Sequence, residues 1–180
     1  YTRYWHGSIA ILRPLLTIFN IEQIYIFNAV ILCILFITLL LLTYKKLGIG
    51  ALICLLISGI MTSLWYAALS LEYIWTILLM CISGIISLFI YKCNNCCLFM
   101  FFLTVGSFTA YFDFLTTETL TLLVPLVIVT IARHNDNMFK NQKDYIRHSA
   151  YISLFWLLGY AFAWIAKWSL ASIVLHENVF

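Results

Sequence analysis

The sequence predicts an all-α fold, a polytopic transmembrane helical bundle with about six membrane-spanning helices plus an N-terminal interfacial segment. Three observations predict it. Apolar residues make up 64% of the chain and charged ones 9%, with a mean hydropathy of +1.03. Soluble domains run at roughly 45–50% and 25%. Five stretches long enough to span contain no Asp, Glu, Lys or Arg, and a sixth carries one acid, Glu118. The apolar runs are continuous rather than alternating, which argues for helices over the strands of a barrel.

Residues 1–23 form the interfacial segment, opening "YTRYWHGSIAILRPLL". Arg3, His6 and Arg13 supply positive donors, while Tyr4 and Trp5 offer flat faces. Arg suits bidentate phosphate recognition. The plainer reading is a Trp/Arg anchor on an interfacial helix over residues 8–19. Pro14 argues against a regular helix running straight through, since it lacks an amide proton.

The spans follow in order as 24–44, 47–70, 73–91, 96–112, 114–132 and 149–166, with a solvated loop at 133–148. Lys45, Lys46, Lys92, Arg133, Lys140, Lys143 and Arg147 fall in alternate connections. The positive-inside rule therefore makes 45–46, 92–95 and 133–148 cytoplasmic. Residues 1–23 and 113–118 become extracytoplasmic, and the protein is expected in the cell membrane as a multi-pass protein. Small residues four apart (Ser83 and Ser87, Gly106 and Ala110, Gly159 and Ala163) predict close helix approach.

Two further stretches carry candidate chemistry. "AYFDFLTTETLTLLVP" sets Asp113 and Glu118 among threonines ahead of Pro125, a hydroxyl-rich entrance suited to a base, a cation ligand or a sugar-hydroxyl acceptor. An ordinary capped turn is the alternative. "FWLLGYAFAWIAKW" puts Trp156, Tyr160, Trp164, Lys167 and Trp168 on one helical face. That face reads as an aromatic belt with a snorkelling lysine. If the helix continues to Leu175, Lys167 lies inside the membrane and needs a partner, for which Asp113 or Glu118 is on the right side.

Other classes fall away. "KCNNCC" holds one CxxC, Cys93 and Cys96, half of a structural zinc set, so no metal site is expected and no cofactor. A net charge of +3 is too small to imply nucleic-acid binding. Catalytic motifs of the soluble type are missing.

"RYWHG" with "LRPLL", "YFDFLTT" with "VPLVI", and "WLLGYAFAWIAKW" resemble a group of uncharacterised multispanning membrane proteins of Gram-positive bacteria. The layout is more loosely similar to membrane glycosyltransferases of the GT-C type. That resemblance implies transfer from a polyprenyl-phosphate-linked sugar to a cell-envelope glycan acceptor at the outer face, as in polysaccharide biosynthesis. The residues that the topology gathers on the outer side fit that reaction: Asp113 and Glu118 are the candidate catalytic acids, and Arg3, Tyr4, Trp5, His6, Arg13, Trp164, Lys167 and Trp168 the candidate substrate-binding groups. Those enzymes carry a catalytic acid in their first outer loop. The missing initiator Met and the "HENVF" ending lead to the expectation of a fragment that begins after that loop. Membrane lipids are the other expected partners. Two rival readings are a transporter or channel-like module, with Asp113, Glu118 and Lys167 as a charge relay, and a noncatalytic membrane scaffold.

Overall fold

A computed structural model describes residue 5, residues 7–112 and residues 118–175. Among them the chain is all-helical: α1 (Gly7–Ile18), α2 (Ile21–Leu47), α3 (Ile49–Met61), a 3-10 segment (Leu64–Leu69), α4 (Tyr73–Ile90), α5 (Asn95–Phe112), α6 (Glu118–Asn135) and α7 (Gln142–Leu175). Four of these, α2, α4, α5 and α7, are long and apolar enough to cross a membrane.

The start and stop of α2 are written locally. The Asn20 amide donates to Gln23 Oε1 at 3.0 Å, satisfying one of the donors that a helix start leaves open. At the other end Gly48 takes φ +88°, a backbone that favours glycine, and its amide closes on the Tyr44 carbonyl at 3.1 Å. The helix thus runs through Lys45 and Lys46, cations in the last turn where the macrodipole favours them. Lys46 Nζ donates to the Leu88 carbonyl at 2.6 Å and sits 4.1 Å from the Phe89 ring centroid. Ile26, Val30, Ile34, Ile37 and Leu41 form an exposed apolar face along α2, which lipid rather than water can solvate.

Three expectations need correction. The span at 47–70 is not one helix: α3 has 13 residues, a rise of about 20 Å against a hydrocarbon core of about 30 Å. Ser58 and Thr62 hydroxyls bond back to the carbonyls of Cys54 and Ser58, and Ser63 turns left-handed at φ 49°. Such side-chain competition ends the helix. Next, α1 does run through Pro14. Ala10, whose carbonyl loses its donor, and Pro14 itself both lie on the exposed side, so no orphaned group is sealed in the core.

The third correction concerns the 133–148 loop. Residues 133–135 complete α6 and residues 142–148 open α7, leaving 136–141 as the connection. Arg133 and His148, expected in solvent, are 4% and 7% exposed. At its other end α7 extends well past residue 166 to Leu175, and its 34 residues rise roughly 51 Å. The described part of the 114–132 span begins at Glu118, and α6 runs unbroken through Pro125, which is buried.

Two apolar cores result. One joins α2, α4, the 3-10 segment and α6 around Leu39, Ile74, Cys81 and Leu88. The other joins α5, α6 and α7 around Leu98, Phe102, Val129 and Ile152. The α5–α7 seam is the closest approach. A Cβ at Gly106 would run into the Trp156 carbonyl, and one at Gly159 into the Leu103 carbonyl. Ser107 Oγ crosses the seam to the Gly159 carbonyl at 3.0 Å. The small residues that the sequence spaces four apart thus let the backbones touch.

Candidate functional site

Consecutive helices from α4 to α7 alternate in direction, so that α5 and α7 run parallel, and chemistry falls at two opposite ends. At the aromatic end, α5 finishes, α6 begins and the last third of α7 passes. Trp5 docks there: its indole N–H donates to the Ala163 carbonyl at 2.8 Å, and its ring lies 5.6 Å from Tyr111. Lys167 Nζ stands 5.4 Å from the Trp5 ring, a cation–π distance. The half-buried lysine that the sequence expects inside the membrane therefore meets an aromatic face. Gly7 lets this docking happen, because a Cβ there would strike Tyr111.

Behind Trp5, the rings of Trp156, Tyr160, Trp164 and Trp168 form a ladder along α7, with centroid separations of 5.4, 6.3 and 5.2 Å. Nearby, Thr109 of α5 and Thr121 of α6 are fully buried with their hydroxyls 2.7 Å apart. Thr109 donates onward to Val105, and Thr121 is 2.8 Å from the Glu118 carbonyl. Thr109 and Thr121 tie α5 to α6 one turn inside Glu118, fixing where that half-buried carboxylate enters the bundle.

The structure thus brings Trp5, Tyr111, Trp164, Lys167 and Trp168 together, at the end where Glu118 starts α6. Arg13 does not join them; it is exposed on α1, and no hydrogen bond or ion pair holds it among the described residues. Arg3, Tyr4, His6 and Asp113 lie outside the described residues.

At the basic end, the sequence reading missed the most heavily hydrogen-bonded side chain among the described residues. Arg133 Nε donates to the Tyr91 carbonyl at 2.7 Å, and Nη2 to the Cys93 carbonyl at 2.7 Å. Nη1 donates to Asn95 Oδ1 at 2.6 Å and faces His148 Nε2 at 2.8 Å. A guanidinium only donates, so Nε2 must accept and the imidazole is neutral, its proton on Nδ1. That Nδ1 is buried with no partner. The acceptors are all neutral; the Tyr91 carbonyl caps the C-terminal end of α4, where a helix dipole favours a cation, and the Cys93 carbonyl lies in the turn that follows.

One side chain therefore bolts the end of α4, the start of α5, the end of α6 and the start of α7. The "KCNNCC" turn contributes a carbonyl and an amide to this bolt rather than thiol ligands. Cys93, Cys96 and Cys97 are exposed and free, and no group of three or more His, Cys, Asp or Glu side chains among the described residues is placed to hold a metal. A legible signal existed: Arg133 and His148 are the residues directly flanking the apolar runs on either side of the loop.

No family model, curated protein or solved structure matches this chain.

Proposed function

We propose that this chain is the membrane part of a cell-envelope glycosyltransferase that takes a polyprenyl-phosphate-linked sugar at the outer membrane face. The observation that carries the reading is the docking of Trp5 between Tyr111 and Lys167, at the end of the bundle where Glu118 enters. Cationic and aromatic groups from three distant parts of the sequence converge there. In this reading the Lys167 ammonium balances a lipid-linked phosphate as it leaves, and the flat faces of Trp5 and Trp164 take the sugar. Glu118 accepts the proton from the attacking hydroxyl as general base. The distribution of Lys and Arg supports an outward position for this end.

The test is glycan analysis of cells carrying Glu118→Gln or Lys167→Met in the intact protein, with expression checked. Loss of the envelope glycan with normal membrane levels supports the reading. An unchanged glycan in both variants excludes it. Loss of solute uptake with an unchanged glycan would assign transport instead, and no phenotype in either assay would leave the scaffold reading.

A further inference from the structure

The basic end contains a feature that the proposed reaction does not use. An open cleft of about 710 Å³ lies between the "KCNNCC" turn, the 136–141 connection and the first turns of α7. Its lining carries four cationic side chains, Lys92, Arg133, Lys140 and Arg147, and a single carboxylate, Asp144. Lys92 is engaged by Asp136 at 3.0 Å. Lys140 and Arg147 are exposed, and neither has an ion pair among the described residues. Arg133 has none either; its partners are neutral, so its buried charge adds to the positive potential of the cleft wall.

The floor of the cleft is aromatic, and His148, 7% exposed, lines it. The ring is flanked by Phe99 and Phe139, at 6.0 and 5.5 Å between centroids. A cationic rim over an aromatic floor, at the end of a membrane bundle, matches a group that is both charged and greasy.

We propose that this cleft binds a phosphate group, with Arg147 and Lys140 donating to it from the rim. Arg147 is the main contact, because its planar fork grips two phosphate oxygens at once. The aromatic floor favours phosphate presented by a lipid headgroup over free phosphate.

The test uses the purified full chain in a neutral detergent. Native mass spectrometry counts bound dioctanoyl phosphatidylglycerol against dioctanoyl phosphatidylcholine, and the shift in melting temperature follows addition of inorganic phosphate. Phosphatidylglycerol is expected to bind one per chain, and Lys140→Ala/Arg147→Ala to weaken it on the order of ten-fold. Both residues are exposed, so the ligand-free melting temperature of that double variant should match the wild type. Binding of the lipid alone assigns the site to a membrane lipid; a stabilising effect of phosphate as well shows that the free anion also enters. Equal retention of phosphatidylcholine, or undiminished binding in the double variant, overturns the proposal.

Discussion

The two ends of the bundle hold cations in opposite ways. At the basic end the Arg133 guanidinium is caged at hydrogen-bond distance by four acceptors on three other segments. At the aromatic end Lys167 meets the Trp5 face at 5.4 Å, and the Trp5 segment is pinned by one indole hydrogen bond. The first arrangement over-determines its geometry. The second leaves an ammonium that can turn toward a ligand. A structural bolt and an adaptable site differ in this way, and the difference is why the proposed chemistry is placed with Lys167 rather than with the better-ordered arginine.

The sharpest way to break that comparison is Arg133→Met. It leaves four acceptors without their donor, at about 1 kcal/mol each, so a loss of roughly 4 kcal/mol is expected. In detergent the protein should melt many degrees lower or fail to accumulate. Arg133→Lys should recover little, since a point-like ammonium cannot span acceptors that the planar fork reaches together. If Arg133→Met melts like the wild type, the basic end is no bolt.

The seam that links the two ends comes next. Gly106→Ala drives a methyl into the Trp156 carbonyl, and overpacking of this kind costs about 1–3 kcal/mol. Because the contact is with backbone, no rotamer change relieves it, and α5 must move off α7. The expected readout is a lower melting temperature together with faster amide exchange along both helices. Gly50→Ala is the control, having nothing within 4 Å of its added Cβ.

A smaller effect separates the aromatic end from the basic one. Trp5→Phe keeps a ring for Tyr111 and Lys167 but removes the indole donor to Ala163, worth about 1 kcal/mol. Global melting should barely change, while exchange in residues 7–12 should rise. If instead the whole bundle loses stability, the N-terminal segment is a core element and not a docked one.

The bundle was legible because hydrocarbon is an unforgiving solvent: it demands uninterrupted apolar runs and sorts Lys and Arg into alternate connections, a pattern that water does not impose. The close seam was legible too, from Gly106 and Gly159 in their small-residue pairs. Helix ends were not. Ser58, Thr62 and Ser63 stop α3 through hydroxyl–backbone competition and a left-handed turn, which hydropathy does not register. Arg133 and His148 read as loop residues because charge alone predicts solvent. The burial of Arg133 depends on carbonyls from a turn some forty residues away, and the one local hint is that Arg133 and His148 directly flank the apolar runs. Of the candidate site, the Trp164–Lys167–Trp168 face was visible from helical spacing, whereas its pairing with Trp5 spans nearly the whole chain.

The smallest expected effect tests whether the basic end has a second fastening. Lys92 Nζ and Asp136 pair at 3.0 Å, and the Tyr91 hydroxyl reaches the same carboxylate oxygen at 3.2 Å. The hydrogen bond from Lys92 holds the Asp136 carboxyl below the ordinary carboxylate range, and its bond to Asp136 raises Lys92 above the ordinary lysine value. The depressed acid contributes stability above the ordinary carboxylate range and loses it as pH falls through its lowered value. The raised lysine contributes below the ordinary lysine value and loses it as pH rises through its own. Between about pH 5 and 9 both are therefore charged and the pair is constant. Both side chains are solvated, and exposed pairs of this kind are weak and screened by salt. Asp136→Asn should leave the melting temperature nearly unchanged at every pH in that window, with any small difference gone in half-molar salt. A drop below about pH 5 that vanishes in Asp136→Asn would show that the pair, and not the guanidinium alone, fastens this end. A drop that persists in the variant would point to protonation of His148, whose accepting nitrogen is what Arg133 requires.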